Sequence, residues 1–182
     1  MILSSIAAMS ANRTIGVNGD LPWNIVEDMR FFRRITDGHV LIMGRKTLET
    51  FPALLPRRFH IVITRQPDYA PPKKIVGDSD QFLVVQTTDE AIEAAQALIE
   101  AEPDWGKEVF NIGGGEIYSA LLDETDRIYL TEIDFEVEGD AHFPRWHEED
   151  FVEVERRKGA DSGTNGLPNY DFVVYERAGK KF

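Results

Sequence analysis

Short apolar runs alternate with helix-like segments along most of this chain. The runs are ILSSIAAM, HVLIMG, FHIVIT, FLVV and EVFNIG, which begin at Ile2, His39, Phe59, Phe82 and Glu108. Segments with a helical spacing of apolar residues lie at 24–35, 45–50, 88–100 and 116–122. This alternation is typical of a largely parallel sheet that is covered by helices on both faces.

The C-terminal third has a different pattern. The strand-like run RIYLTEI, which begins at Arg127, is followed by two β-rich stretches at 151–157 and 170–177. A polar loop, KGADSGTNGLP, joins the last two stretches and predicts an antiparallel hairpin. We therefore predict one α/β domain over residues 1–182, with a mostly parallel twisted central sheet, an antiparallel C-terminal hairpin and about four flanking helices. The stretch 66–81 is interpreted as a surface excursion.

Composition and charge narrow the function classes. Hydrophobic residues make up 42% and charged residues 29%, as in an ordinary globular protein, and no apolar run approaches the length of a membrane span. The absence of cysteine excludes disulfides and thiolate metal sites and fits a cytoplasmic location. A net charge of -12 disfavours binding to nucleic acid or to an anionic membrane. His142 and His147 lack a metal-ligand spacing, so we predict no metal site.

Two predicted strands end at glycines that lead into helices, where free backbone N–H groups favour anions. The first junction is LIMGRKT, with Gly44 followed by Arg45 and Lys46, and the second is the triple glycine Gly113 to Gly115. Neither matches a Walker loop or a G-x-G-x-x-G fingerprint. The dipeptide Thr64–Arg65 follows a third strand. The alternative is that these are plain turns with solvated side chains, but together they favour a phosphate-bearing ligand.

The first predicted helix carries two neighbouring acidic residues. Asn24 and Glu27 have the spacing of a capping box, which predicts a structural role for Glu27 in water. Asp28 instead shares the apolar stripe of Phe31 and Phe32 and is predicted to face the core. Because a buried carboxylate is costly without donors, Asp28 either complements the helix start or accepts hydrogen bonds from a planar ligand with two adjacent N–H groups.

Seven segments, in order along nearly the whole chain, resemble the dihydrofolate reductase family. They are SSIAAMSANRTIGVNGDLPW, Asp28 with the adjacent FF, MGRKT, LPRRFHIVIT, NIGGGEIYSALL, YLTEID and EGDAHFP. The resemblance implies NADPH-dependent reduction of 7,8-dihydrofolate to 5,6,7,8-tetrahydrofolate, with hydride transferred to C6 and a proton to N5. It also implies an enzyme whose partners are the cofactor NADPH and the small-molecule substrate dihydrofolate. We expect a monomer, because no long exposed apolar stripe is evident in the sequence.

By this resemblance, Asp28 accepts hydrogen bonds from the pterin N3 and 2-amino groups, and Thr131 supports it through a hydrogen bond. The residues implied in catalysis are Asp28, Thr131, Leu21, Trp23 and Tyr118. Those implied in substrate binding are Ile6, Ala7, Asp28, Phe32, Phe51, Leu55, Arg58, Ile112 and Thr131. Arg58 is expected to pair with the carboxylate of the glutamate tail, although Arg57, at the family's common turn glycine, competes for that role.

The resemblance also answers why three glycines stand in a row, because the family has a cis Gly-Gly peptide against the NADPH pyrophosphate, here expected at Gly113–Gly114. Arg45, Lys46, Thr64 and Arg65 are expected around the 2′-phosphate and diphosphate, which favours NADPH over NADH. The implied cofactor residues are Ala8, Ile15, Gly16, Asn18, Gly19, Asp20, Gly44, Arg45, Lys46, Thr47, Thr64, Arg65, Ile112, Gly113, Gly114, Gly115, Glu116, Ile117 and Tyr118. Residues 10–23 are expected to form a lid supported by Asp140.

Two other functions compete with this interpretation. A reductase of a riboflavin-type pathway on the same architecture predicts neither a buried carboxylate on the first helix nor a tail-binding arginine. A non-catalytic NADP(H)-binding protein predicts retained phosphate contacts and a lost pterin set, whereas this chain keeps Asp28, Phe32 and Thr131 together.

Overall fold

The computed structural model describes residues 1–180, and the last two residues of the predicted domain, Lys181 and Phe182, lie outside the described residues. The strands are β1 Ile2–Ser10, β2 Thr14–Gly16, β3 Val40–Gly44, β4 Phe59–Ile63, β5 Phe82–Val85, β6 Glu108–Asn111, β7 Arg127–Ile133, β8 Ala141–His142, β9 Phe151–Lys158 and β10 Tyr170–Arg177. The helices are α1 Val26–Thr36, α2 Arg45–Glu49, α3 Lys73–Val76, α4 Thr88–Ala101 and α5 Gly115–Ala120.

Eight strands form one sheet in the order β5-β4-β3-β6-β1-β7-β10-β9. The first six strands of this order pair in parallel, and β10 pairs antiparallel with both β7 and β9. The predicted fold class, a mostly parallel sheet with an antiparallel C-terminal hairpin, is confirmed. None of the helices in residues 1–180 is long and apolar enough to cross a membrane.

Three small elements were absent from the prediction. The excursion at 66–81 contains α3, a one-turn helix whose Ile75 and Val76 are buried, so the described chain has five helices instead of about four. The short strands β2 and β8 pair with each other outside the main sheet. Each of these elements is too short to show a periodic pattern in the sequence.

The start of α1 differs from the prediction. The helix begins at Val26, and Ile25 occupies the N-cap position without a side-chain hydrogen bond, so the capping box of Asn24 and Glu27 is wrong. The Glu27 carboxylate instead accepts hydrogen bonds from the Ala160 backbone N–H at 2.7 Å and from the Tyr170 hydroxyl at 2.8 Å. Arg157 Nη1 also donates to it, at 3.1 Å. Glu27 therefore attaches α1 to the C-terminal hairpin and is only partly exposed.

The central strands have apolar side chains on both faces because successive residues of a strand point in opposite directions. In β3, Leu41 and Met43 pack in a cluster with α1, whereas Val40 and Ile42 pack in a cluster with α4. All four side chains are fully buried. The cluster on the α1 face contains most of the residues implied in substrate binding, and it forms the floor of the candidate site.

Candidate active site

Asp28 is buried in the first turn of α1, with 7% of its surface exposed. The hydroxyl of Thr131, on β7, donates a hydrogen bond of 2.6 Å to Asp28 Oδ1, so the contact expected between these two residues is present. Burial raises the pKa of Asp28, and the hydrogen bond from Thr131 opposes that change in part. A buried carboxylate with this single side-chain donor keeps most of its capacity to accept hydrogen bonds from a ligand.

Most of the apolar residues implied in binding belong to one cluster, which we call the substrate slot and which includes Phe31 and Phe32 on the same helix as Asp28. Ile6 and Ile112 belong to its buried part, and the partly buried members include Ala8, Trp23, Phe32, Phe51 and Leu55. The indole N–H of Trp23 is buried and has no hydrogen-bond acceptor within residues 1–180. An unpaired N–H of this kind is available to a polar atom at the slot.

Ala7 and Tyr118 occupy a different cluster. Ala7 packs with Met9 and Tyr118 on the other face of β1, which separates its side chain from those of Ile6 and Ala8. The Tyr118 hydroxyl donates a hydrogen bond of 2.7 Å to the backbone oxygen of Ile6. Tyr118 therefore reaches the slot through the backbone of β1, and burial raises the pKa of its phenol far above the ordinary value.

The two competing arginines have different environments. Arg57 lies at a positive φ of 57°, its side chain is 75% exposed, and it pairs with Asp37 at 2.8 Å. Arg58 is buried, and its guanidinium donates to the backbone oxygens of Pro56 at 2.6 Å and Arg33 at 2.5 Å. Its contact with Asp37 is longer, at 3.4 Å. Arg58 is therefore a preoriented cation, whereas Arg57 is an exposed surface charge paired with Asp37.

The two glycine junctions meet at the carboxyl ends of β3 and β6, which are neighbours in the sheet. The Gly44 N–H donates a hydrogen bond of 2.7 Å to the oxygen of Gly113, and the Gly113–Gly114 peptide is cis, as expected. A Cβ on Gly113 would lie 2.3 Å from the ring of Tyr118, and one on Gly115 would lie 2.9 Å from the oxygen of His142. Side chains are excluded here, which leaves bare backbone at the start of α5.

The basic residues predicted to bind phosphate lie around this bare backbone, and most of them are exposed. Arg45 pairs with Glu49 at 2.9 Å, and Arg65 contacts Glu116 at 3.5 Å with side chains 89% and 84% exposed. Lys46 is exposed, whereas Thr64 is buried at the end of β4. Arg45 and Arg65 are thus paired with acids, and an anionic ligand would have to displace Glu49 and Glu116 to bind these two arginines. Within residues 1–180 no group of His, Cys, Asp and Glu is suited to a metal ion.

Residues 10–23, the predicted lid, contact a second loop. The Asn18 N–H donates to Asp140 Oδ1 at 3.1 Å, and the Asp140 N–H donates to the oxygen of Gly16 at 3.2 Å. The strand pair β2–β8 connects the same two segments. Leu21 is one of the exposed large hydrophobic residues. The expected support of this segment by Asp140 is therefore present as two hydrogen bonds.

One residue of this region was not predicted to have a role. His60 lies in β4 with none of its surface exposed, and its ring contacts the backbone of the segment that carries Leu55. The signal was visible in the sequence as the single polar residue among the first five residues of the run FHIVIT. A buried histidine in a strand must have hydrogen-bond partners, and those partners reveal its contribution.

Together, the fold and the site define a class of α/β protein in which an anion-binding sheet edge adjoins a buried carboxylate slot. The family model for dihydrofolate reductase matches residues 2–177. The dihydrofolate reductase of Bacillus subtilis is 36% identical over 176 residues, which are 97% of this chain and 95% of that protein. The dihydrofolate reductase HdrB of Haloferax volcanii is 32% identical, covering 94% of this chain and 81% of that protein. The chain belongs to the dihydrofolate reductase family.

A solved structure supports the same conclusion. Dihydrofolate reductase from Enterococcus faecalis, complexed with NADP(H) and RAB-propyl, superimposes with a TM-score of 0.82 at 28% sequence identity. The match covers 97% of this chain and 96% of that one. The architecture described above is thus shared over essentially the full described length.

Proposed function

We propose that this chain catalyses the NADPH-dependent reduction of 7,8-dihydrofolate to 5,6,7,8-tetrahydrofolate. The observation that carries the proposal is the buried carboxylate of Asp28, held by Thr131 inside an apolar cluster of a chain that belongs to the dihydrofolate reductase family. A pterin ring offers adjacent N–H donors and a flat apolar face. Asp28 and its surroundings match both properties.

The residues at the sheet edge fit NADPH. Glycine at Gly44 and at Gly113 to Gly115 leaves bare backbone at the starts of α2 and α5, which a diphosphate can approach closely. A Cβ at Gly113 or Gly115 would collide with Tyr118 or His142, so internal packing also requires glycine at these two positions. Arg45, Lys46 and Arg65 supply positive charge suited to the additional 2′-phosphate. NADPH supplies the hydride when bound. The residues of the chain orient the two rings and exclude water from between them.

Asp28 orients and polarises the pterin by accepting hydrogen bonds from N3 and the 2-amino group. We assign the proton that reaches N5 to a water molecule, with Asp28 acting through polarisation of the ring. Trp23 packs against the apolar cluster and borders this part of the slot. The segment 10–23, which carries the exposed Leu21, limits the access of bulk water when it is closed. Tyr118 holds the backbone of β1 at Ile6, next to the slot.

Arg58 binds the carboxylate of the glutamate tail. Its guanidinium is already aimed by short hydrogen bonds to two backbone oxygens, while the contacts to Thr36 and Asp37 are long, at 3.4 Å. A carboxylate of the substrate can replace the long contacts without disturbing the short ones. The exposed Arg57 is a surface charge that is not needed for this pairing.

We further propose that residues 1–182 act as one domain and that the enzyme is a cytoplasmic monomer. Strands from both ends of the chain, β1 and β10, contact β7 in the same sheet, which supports a single unit. The net charge of -12 disfavours self-association and contact with nucleic acid, and the lack of cysteine suits a reducing compartment.

The test follows the loss of NADPH absorbance on addition of dihydrofolate, with NADH as a parallel donor. We expect oxidation that requires dihydrofolate and that is at least tenfold more efficient with NADPH, since the basic residues at the sheet edge recognise the extra phosphate. A folded chain that binds NADPH but oxidises none would contradict the proposal and favour a binding protein. Oxidation with a ribosylaminopyrimidine substrate instead would favour the riboflavin-type alternative.

A further inference from the structure

We propose that His60 is a positioning residue for the tail-binding half of the site, and that the excursion at 66–81 acts with it to hold Leu55 and Arg58 in place. The inference rests on the proposed function, because it assigns the tail of the substrate to these residues. It gives a role to a segment and a side chain that the resemblance leaves without one.

The His60 ring bridges two backbone segments that are far apart in the sequence. Its Nε2 accepts a hydrogen bond of 3.1 Å from the Leu55 N–H. Its Nδ1 donates to the backbone oxygen of Gln81 at 3.2 Å, and that oxygen also accepts the backbone N–H of His60 at 3.0 Å. The single imidazole thus connects the end of the excursion to the loop that follows α2.

The direction of these hydrogen bonds determines one protonation state. A backbone N–H only donates, so Nε2 must carry a lone pair, and the proton of the neutral ring is on Nδ1. The pKa of His60 is lowered to about 4, mainly by burial and to a smaller extent by the nearby charge of Arg58. The ring therefore stays neutral near pH 7 and keeps both bonds.

The loop held by His60 carries the tail-binding contacts. Leu55 precedes Pro56, whose oxygen accepts the 2.6 Å hydrogen bond from Arg58 Nη1. Arg58 and His60 lie two residues apart in the chain. The His60 ring holds the Leu55 backbone, and the next residue, Pro56, accepts the hydrogen bond from the Arg58 guanidinium. Displacement of the Leu55 backbone would move both an apolar wall residue and an acceptor that aims Arg58.

The excursion at 66–81 also contacts the loop that carries Leu55. The Leu54 N–H donates to the oxygen of Ile75 in α3 at 3.1 Å. Ile75 is 3% exposed and packs in the cluster on the α1 face, so this part of the excursion is anchored in the core. Two successive backbone N–H groups, those of Leu54 and Leu55, are therefore satisfied by α3 and by His60, respectively.

The arrangement predicts a selective effect. Asp28 and Thr131 lie on α1 and β7 and share no hydrogen bond with His60, whereas Leu55 depends on it directly. Arg58 keeps its contact with the Arg33 oxygen on α1, so loss of the His60 contacts weakens the tail subsite without removing it. Binding of a tailed ligand should suffer, and binding of a bare pterin should not.

The experiment measures the dissociation constants of dihydrofolate and of 6-methyl-7,8-dihydropterin, which lacks the tail, with NADP⁺ present, together with steady-state turnover. In His60→Phe we expect dihydrofolate binding to weaken about tenfold, because a buried N–H loses its acceptor, while pterin binding changes less than twofold. His60→Gln retains one acceptor and one donor and should restore most of the loss. The exposed His147→Phe is the matched control and should behave as wild type.

Equal weakening of both ligands in His60→Phe, or no weakening of either, would overturn the inference. If the phenylalanine variant does not fold, the comparison of His60→Gln with His60→Asn carries the test, because the shorter amide of asparagine cannot reach both partners. Equal ligand affinities in those two variants would likewise overturn it. Failure of the proposed function is distinguishable, since it appears as a wild type that does not turn over dihydrofolate, whereas the ratio of the two binding constants is read without turnover.

Discussion

Charged side chains are held differently in the substrate slot and at the phosphate edge, which is the sheet edge at Gly44 and Gly113 to Gly115 with the basic residues around it. In the slot, Asp28 and Arg58 are buried, and each is held by hydrogen bonds of 2.5–2.6 Å to neighbouring protein groups. At the edge, Arg45 and Arg65 are paired with the acids Glu49 and Glu116 near the surface, and the Arg65 pair is almost fully exposed. The charged groups of the slot are therefore held in position by the protein, whereas those of the edge can exchange partners.

The difference separates recognition of shape from recognition of charge. A buried group in a set position gives a strong, orientation-dependent interaction, but its burial costs stability in the free protein. Each exposed cation contributes little to the free energy of binding, because water and salt screen its charge. Several such cations together are needed to bind an anion. Single substitutions should therefore have large effects in the slot and small, salt-dependent effects at the edge.

The largest effect is expected for Asp28→Asn, which removes the charge from the slot. We expect kcat/KM for dihydrofolate to fall about a hundredfold at pH 7, because charge-assisted hydrogen bonds to the pterin are lost. The adjacent Glu27→Gln is the matched control and should stay within about twofold. Steady-state kinetics of both variants tests this, and a larger loss in Glu27→Gln would reverse the roles of the two acids.

A smaller effect is expected at the edge for Arg45→Gln. We expect the KM for NADPH to rise about tenfold, while the KM for NADH changes little, since one charge-assisted contact to the 2′-phosphate is lost. Arg34→Gln, an exposed arginine on α1, is the control and should not alter the ratio of the two constants. A parallel rise for NADH and NADPH would place Arg45 outside phosphate recognition.

The buried carboxylate of Asp28 should also lower the stability of the free protein at neutral pH. Because burial raises the pKa of Asp28, the folded chain binds this proton more tightly than the unfolded chain does. The contribution of this group to stability is therefore fully present below the ordinary pKa of 3.8 and is lost as the pH rises through the raised pKa.

We accordingly expect Asp28→Asn to raise the free energy of unfolding by about 1 kcal/mol at pH 7, or roughly 2–4 °C in Tm. Urea unfolding of both proteins between pH 3 and pH 8 measures the difference, which should shrink in acid. A variant that is less stable at pH 7 would show that Asp28 contributes stability in the free protein.

The smallest effect is expected for Glu116→Gln, which removes the acid that faces Arg65. We expect the affinity for NADPH to rise about twofold at low salt and the gain to disappear near 0.5 M salt, because an exposed pair is screened. Titration of NADPH fluorescence at two salt concentrations measures it. A gain that persists at high salt would indicate a buried rather than an exposed interaction.

Most of the sheet could be predicted from the sequence because each strand carries its own apolar pattern. The run RIYLTEI and the stretch 170–177 coincide with β7 and β10 as the structure has them. The direction of Asp28 also followed from helical spacing, since its neighbours on the stripe are apolar. These inferences depend on local periodicity, which folding preserves.

What could not be predicted depends on partners remote in the chain. Glu27 has the spacing of a capping residue, but Ala160 and Tyr170, more than a hundred residues away, take up its carboxylate. The roles of α3 and His60 rest on contacts with Leu54 and Leu55 that no spacing rule expresses. At these places the structure is determined by tertiary contacts rather than by local propensity.

The position of β1 in the sheet has a consequence for synthesis on the ribosome. Strand β1 lies between β6 and β7, with Ile2 opposite Glu108 and Ser10 opposite Ile133. A nascent chain that does not yet include β6 and β7 leaves the apolar strand β1 without either neighbour and exposed to other chains. The centre of the sheet therefore closes late, because β1 remains unpaired until both β6 and β7 have been synthesised.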